Sequence, residues 1–289
     1  MIANELLSKV GPFKLEVIQS AESISPRVSS LMRSGESVYI AAGGDGTVNL
    51  LLNAIMLANE NPNDVVLGAI GLGSSNDFHK PFALREMVHN VPMRIKSETA
   101  LASDVICVQY LDLNNQRSTQ FCLNNASIGV TAEANALFNH RPGIIRGLRK
   151  LSVNGAIAAT AMKTILVYRN LPCRLGVEHS DVDDCMITNL GIVKNPHFAG
   201  SLSYEPLVQP DDGQMGVCLC EEMSRSQAIF ALARLARGKF QGYPNTRTWR
   251  ATQVSVESKQ WFTVELDGET IKTRAAEFSV KCKALRCCQ

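Results

Sequence analysis

The chain has 289 residues, 45% of them hydrophobic, and a formal net charge of +2. That length and apolar content suit one large or two ordinary domains with a real core, and so balanced a charge gives no argument for nucleic acid. No apolar run approaches the roughly 20 residues needed to cross a bilayer, and the N-terminus lacks the basic start and apolar block of a signal peptide, so a cytosolic protein is expected.

Leu6, Leu7 and Val10 suit a short first helix, and Phe13 to Ile18 alternates like a strand. Residues 23–34 put Ile24, Val28, Leu31 and Met32 on one helical face. Val38 to Ala42 then reads as a strand that breaks into Gly43-Gly44-Asp45-Gly46-Thr47 and continues as a helix through Val48 and Asn49 to Ala58. Strand, glycine turn and helix form a phosphate-binding arrangement. Glycines let the backbone approach an anion, and the helix start offers N–H groups and a positive dipole end. Thr47 is expected either to cap that helix or to give its hydroxyl to a phosphate. A second strand, Asp64 to Ile70, runs into another glycine and hydroxyl turn, Gly71-Leu72-Gly73-Ser74-Ser75-Asn76-Asp77-Phe78. Alternating strands and helices predict parallel packing with ligands beyond the strand C-termini, where both turns fall.

The pattern changes near residues 97–103. Strands are expected at 104–113 and 120–127, then a long helix from Ala132 to Thr164 carrying Arg141, Arg146, Arg149, Lys150 and Lys163. Short strands follow at 164–169, 174–178, 185–193, 215–220, 253–256, 262–266 and 277–281, with one helix near 226–237. Such spacing predicts an antiparallel sandwich. The basic helical stretch reads first as a solvated face and second as a contact for anionic headgroups. The nine cysteines include no zinc-type spacing. Cys107, Cys122, Cys218 and Cys220 read as core residues of a reduced protein, and Cys287-Cys288 as a frayed or buried tail rather than an acylation site.

Three stretches of the second half carry polar groups suited to chemistry: Asn195 to Gly200, Pro210-Asp211-Asp212-Gly213, and Glu265-Leu266-Asp267-Gly268-Glu269. Each also has a plain structural reading, since Asp-Gly is a common hairpin turn. Phosphate loops combined with carboxylates would supply phosphoryl transfer with a metal ligand and a base. No Walker lysine follows either glycine turn, so this is not a P-loop enzyme.

Gly43 to Thr47 and Leu72 to Phe78 together resemble the nucleotide loops of the diacylglycerol kinase catalytic domain, above all the bacterial YegS-like lipid kinases related to sphingosine kinase. Asn124 to Gly129, Asn195 to Gly200, Pro206 to Gly213 and Leu266 to Glu269 resemble the family's later motifs, in order. The resemblance implies an α/β N-terminal nucleotide-binding domain of the NAD kinase/phosphofructokinase type over 1–100 and a C-terminal β-sandwich domain over 101–289. It implies an ATP- and Mg²⁺-dependent kinase acting on a hydroxyl of diacylglycerol or a related lipid at a membrane surface. Gly43, Gly44, Asp45, Gly46, Thr47, Val48, Asn49 and Ser74 would meet ATP, with Ser20 a looser match. Asp212, with the backbones of Gln209 and Gln214, would hold Mg²⁺, and Glu269 would be the general base. The family's opening strand and Asn-Pro-x-Ser/Ala-Gly loop have no counterpart, which implies a shortened chain, a displaced start or an enzyme without that loop, and leaves a sheet edge to be covered. Two other readings are a soluble metabolite kinase of the NAD kinase type and a lipid- or nucleotide-binding protein without turnover. Oligomeric state is open.

Overall fold

A computed structural model describes residues 11–59, 62–80, 86–140, 153–178 and 182–289. It divides into two compact units, Met1–Ser103 with Lys283–Gln289, and Asp104–Cys282.

In the first unit, the helix α1 (Ile24–Arg33) precedes β1 (Val38–Gly43), which leads through the glycine turn into α2 (Asp45–Ala58). β2 (Val66–Gly71) is buried along its whole length and lies parallel to β1, in register from Val38↔Val66 to Gly43↔Gly71. Continuous burial explains its unbroken apolar sequence. The helices α1 and α2 pack on each other, and α2 lies on β1. A short hairpin, β3 (Glu86–Val88) and β4 (Val91–Arg94), adds to β2 antiparallel at Ala69↔Arg94 and Ile70↔Met93. This hairpin was not foreseen in the sequence.

The second unit opens within β5 (Leu101–Leu111), which pairs antiparallel with β6 (Arg117–Cys122). β7 (Asn125–Gly129) feeds α3 (Val130–His140), and α4 (Val153–Val167) packs against α3. Then come β8 (Leu171–Val177), β9 (Asp183–Val193), the two-residue strands β10 (His197–Phe198) and β11 (Leu202–Ser203), and β12 (Met215–Glu221). The helix α5 (Arg225–Leu235) starts with a capping box, Ser224 with Gln227. β13 (Thr246–Ala251), β14 (Gln253–Leu266) and β15 (Glu269–Cys287) complete the chain. The strands run in the order β13-β12-β9-β7-β14-β15, with β8 bridging β9 and β14, and each registered pair inside this unit is antiparallel. Their inward residues form one apolar core that includes Ile128, Leu190, Ile192, Met215, Leu219, Val264 and Phe278.

Several expectations are corrected. Residues 13–18 form no strand, and Phe13, Leu15, Val17 and Ile18 are exposed; alternation without a partner strand does not make a sheet. The strand expected at 164–169 is the last turn of α4. There the Thr160 and Thr164 hydroxyls donate to the carbonyls of Ala156 and Thr160, at 2.8 and 2.9 Å, which accommodates β-branched residues in a helix. The two strands expected at 253–256 and 262–266 are one strand with an irregular register between Glu257 and Phe262. The first helix expected at 5–10 and the basic residues Arg141, Arg146, Arg149 and Lys150 lie outside the described residues.

The end of β15 belongs to the first unit. Arg286 and Cys287 pair parallel with Val66 and Leu67 of β2, and Cys288 N–H donates to Leu67 O at 2.9 Å. The tail is therefore a buried strand, and burial pushes the Cys288 thiol up to about 12. Arg94 locks it in place. Its guanidinium donates to Cys288 O and to Phe78 O, both at 2.7 Å, and lies over the Phe78 ring. Burial lowers the Arg94 pKa to about 10. Arg94→Ala should cost about 1.5–3 kcal/mol in urea unfolding, the range for hydrogen bonds to a charged group. It should also raise amide exchange at Arg286 and Cys288; unchanged protection there would mean that the strand pairing holds the tail without Arg94.

Candidate active site

In the first unit the two glycine turns touch. Gly44 caps α2 with its backbone, in extended geometry and without a side-chain bond. Thr47 is thus not the cap: it sits one turn into the helix, exposed, with its N–H on Gly44 O at 2.9 Å. A Cβ on Gly73 would stand 2.4 Å from Gly44 Cα, so both positions need glycine for the turns to meet. Leu72 N–H donates to Gly43 O at 2.9 Å. Asn76, in left-handed conformation at φ 49°, ties its own turn by accepting Gly73 N–H and donating to Gly71 O. The Asp45 carboxylate accepts the N–H of Phe78 at 2.9 Å and that of Asp77. Burial, and next the Asp77 carboxylate, push the Asp45 pKa up. Asp45 is thereby committed to joining the turns. Ser74 and Ser20 are exposed, whereas Val48 and Asn49 have buried side chains. The result is a rigid pair of turns at the positive end of α2, suited to an anion.

In the second unit three motifs meet at one carboxylate. Asp267 accepts the N–H groups of Leu123, Asn124 and Asn125 at 2.7, 3.0 and 3.0 Å. Asn124 O in turn accepts Lys194 N–H and Asn195 N–H, both at 2.8 Å, and Asn195 Nδ2 donates to Asn124 Oδ1. The Asp267-Gly268 turn has φ of 47° and 99°. Gly268 N–H donates to Glu265 at 2.7 Å, and Gly268 O accepts from Asn135 and Asn139 of α3 at 2.9 and 3.0 Å. Glu269 follows this fully tied turn and is exposed, opposite Leu266 in the hairpin register.

The metal position expected from the resemblance holds a lysine. Lys194 Nζ donates to Gln209 O and Gln214 O, both at 2.6 Å, and to Asp212 Oδ1 at 3.0 Å. Its fourth oxygen is Asp104 Oδ2 at 2.8 Å. Magnesium needs near-octahedral oxygens at about 2.0–2.1 Å. The groups foreseen as its ligands, Gln209, Asp212 and Gln214, instead surround an ammonium, so they do not fit the ion while Lys194 is in place. No group of three His, Cys, Asp or Glu suited to a metal occurs among the described residues. Lys194 was missed in the sequence. Its signal is a charged residue directly after a strand that is buried from Ile187 to Val193.

Residues 2–108 match the diacylglycerol kinase catalytic domain, and residues 124–289 match the YegS C-terminal NAD kinase β-sandwich-like domain. A diacylglycerol kinase of Staphylococcus saprophyticus is 26% identical over 259 residues, covering 86% of this chain and 77% of that protein. One from Staphylococcus epidermidis is 24% identical over 283 residues, covering 92% and 82%. A solved diacylglycerol kinase structure from Bacillus anthracis superposes with a TM-score of 0.66 at 14% identity, covering 99% of this chain and 90% of that one, a likeness of fold.

Gly73→Ala should cost about 1–3 kcal/mol, the range for overpacking, because its methyl meets backbone at Gly44; thermal unfolding measures this. Asp212 supplies a pH signature. Burial pushes its carboxyl up, but the Gln209 amide, the Lys194 ammonium and the Gln214 amide outweigh burial and hold it below the ordinary value. A lowered folded pKa contributes stability that is complete above the unfolded value of about 4 and is lost as pH falls through the folded one. In acid unfolding, the stability gap between wild type and Asp212→Asn should therefore close below about pH 4.

Proposed function

The chain belongs to the family that joins a diacylglycerol kinase catalytic domain to a YegS-type C-terminal domain, and from that membership we propose an ATP-dependent lipid kinase that phosphorylates a hydroxyl of diacylglycerol or a related lipid. The observation that carries the reading is the match to both family domains in order, together with relatives named diacylglycerol kinases.

In this reading the turns at Gly43–Thr47 and Gly73–Asn76 receive the nucleotide phosphates on backbone N–H groups at the start of α2, with the Thr47 and Ser74 hydroxyls beside them and Ser20 as a further contact. Their mutual packing, through Gly44 and Gly73, supports a preformed cradle. The Glu269 carboxylate accepts the proton of the lipid hydroxyl. That oxygen forms the new bond to the γ-phosphorus, the bond to the β-bridging oxygen breaks, and ADP leaves. A divalent ion such as magnesium, held by the phosphates of the bound nucleotide, would supply charge neutralisation during the transfer. No helix among the described residues is long and apolar enough to cross a membrane. The lipid would therefore be met at a membrane surface.

The test is incubation of purified protein with γ-labelled ATP and mixed vesicles containing diacylglycerol. Labelled lipid phosphate is expected; normal ATP binding with no labelled lipid, or labelled NADP from added NAD, would overturn the reading. Glu269→Gln should lower lipid phosphorylation by at least about 10²-fold, the usual worth of a general base, and leave the Kd for ATP unchanged. Loss of both together would make Glu269 structural instead.

A further inference from the structure

We infer that Lys194 is a built-in cation: its ammonium occupies a cage that would otherwise take a divalent metal, and it makes the second unit independent of metal for its stability. The cage is built from four separate stretches. Asp104 comes from β5, Lys194 from just beyond β9, and Gln209, Asp212 and Gln214 from the turn before β12. Arg250 comes from β13.

The lysine side chain is 3% exposed, Asp104 is 0% and Asp212 16%. A cage this closed, lined by two carboxylates and two carbonyls, requires a cation inside it, because unpaired buried carboxylates are strongly disfavoured. Four oxygens lie 2.6–3.0 Å from Nζ, so the three ammonium protons have an excess of acceptors. The two carboxylates take further donors. Asp104 Oδ2 accepts Gly213 N–H at 2.7 Å, and Asp212 Oδ2 accepts Gln209 N–H and the Arg250 guanidinium at 2.8 and 3.0 Å. Lys194 and Arg250 together balance the charges of Asp104 and Asp212. Adding a divalent ion beside Lys194 would leave two positive charges in excess within contact distance.

The chemistry that distinguishes the two cations is attachment. A metal is exchangeable and can be removed by a chelator, whereas Lys194 is tethered to the end of β9 and next to Asn195, whose N–H and side chain hold Asn124. The cage cation is thus part of the backbone latch and is present whenever the unit is folded.

The experiment is thermal unfolding of the full chain, without nucleotide or lipid, in excess EDTA and in saturating Mg²⁺, Mn²⁺ or Ca²⁺. Because no turnover is read, the result stands apart from the kinase reading. Wild type should show one Tm in all four conditions. Lys194→Ala should lose about 6–20 °C in EDTA, the effect of breaking a buried pair in a unit of this size, and should recover part of it in at least one divalent ion but not in NaCl of equal ionic strength. Titration calorimetry should find one divalent-ion site in the variant that is missing from wild type. Lys194→Met serves the same comparison if the alanine variant does not fold. A wild-type Tm that falls in EDTA overturns the proposal, whatever the variants do, and so does a folded variant whose Tm ignores divalent ions.

Discussion

The Asp267 carboxylate is the constraint on which the second unit's polar architecture hangs. Three consecutive backbone N–H groups, from Leu123 to Asn125 at the junction of β6 and β7, converge on it. A carboxylate taking several amide protons is a strong, charge-assisted arrangement. Fixing those amides fixes the Asn124 carbonyl, which takes the Lys194 and Asn195 N–H groups, and so sets where the Lys194 side chain begins. The lysine then reaches Asp104, Asp212 and the carbonyls of the 209–214 turn. One anion therefore organises a second site through two backbone carbonyl contacts, although the two sites share no side chain.

The first unit solves a different problem, bringing two turns together without leaving room between them. Parallel pairing of β1 and β2 ends at Gly43↔Gly71, so both turns start at the same level. Leu72 N–H on Gly43 O continues the ladder by one rung, and the Gly44–Gly73 contact closes it. Asp45 then reaches across to the amides of Asp77 and Phe78. Phe78 O is held from the other side by Arg94, which also holds the end of the chain. The turn that follows β2 is consequently braced by residues near positions 45, 94 and 288. That is how the C-terminal strand braces the glycine turns without supplying a residue to them.

Glycine turns after apolar strands were legible because the sequence must use glycine where backbones touch, and no other residue type can stand in. The alternating strands of the second half were legible for the same kind of reason, since burial on one face forces the period. Features set by distant partners were hidden. Nothing near Cys287 announces that it will lie beside Leu67. Alternation from Phe13 to Ile18 looked like a strand because local pattern cannot report a missing neighbour. The β-branched residues at the end of α4 pointed to a strand until their hydroxyls found helix carbonyls. At the 209–214 turn the sequence pattern pointed to the right oxygens but not to the cation, because the cation arrives from the end of β9, well before the turn in sequence.

The same hairpin contains three carboxylates within five positions, and their surroundings separate their roles. Asp267 is saturated by three amides and is buried. Removing its charge to accept a substrate proton would undo the turn that presents it. Glu265 is also buried, and its oxygens take Ser127 Oγ at 2.8 Å and Gly268 N–H at 2.7 Å. A base must be reachable and must change protonation without a structural cost. Glu269 alone of the three is exposed, and it leaves a turn whose backbone groups at Asp267 and Gly268 are tied by Asn125, Glu265, Asn135 and Asn139. In the kinase reading proposed above, that division, with structural carboxylates spent on amides and one left at the surface, is the reason to assign the proton acceptor to Glu269 rather than to its neighbours.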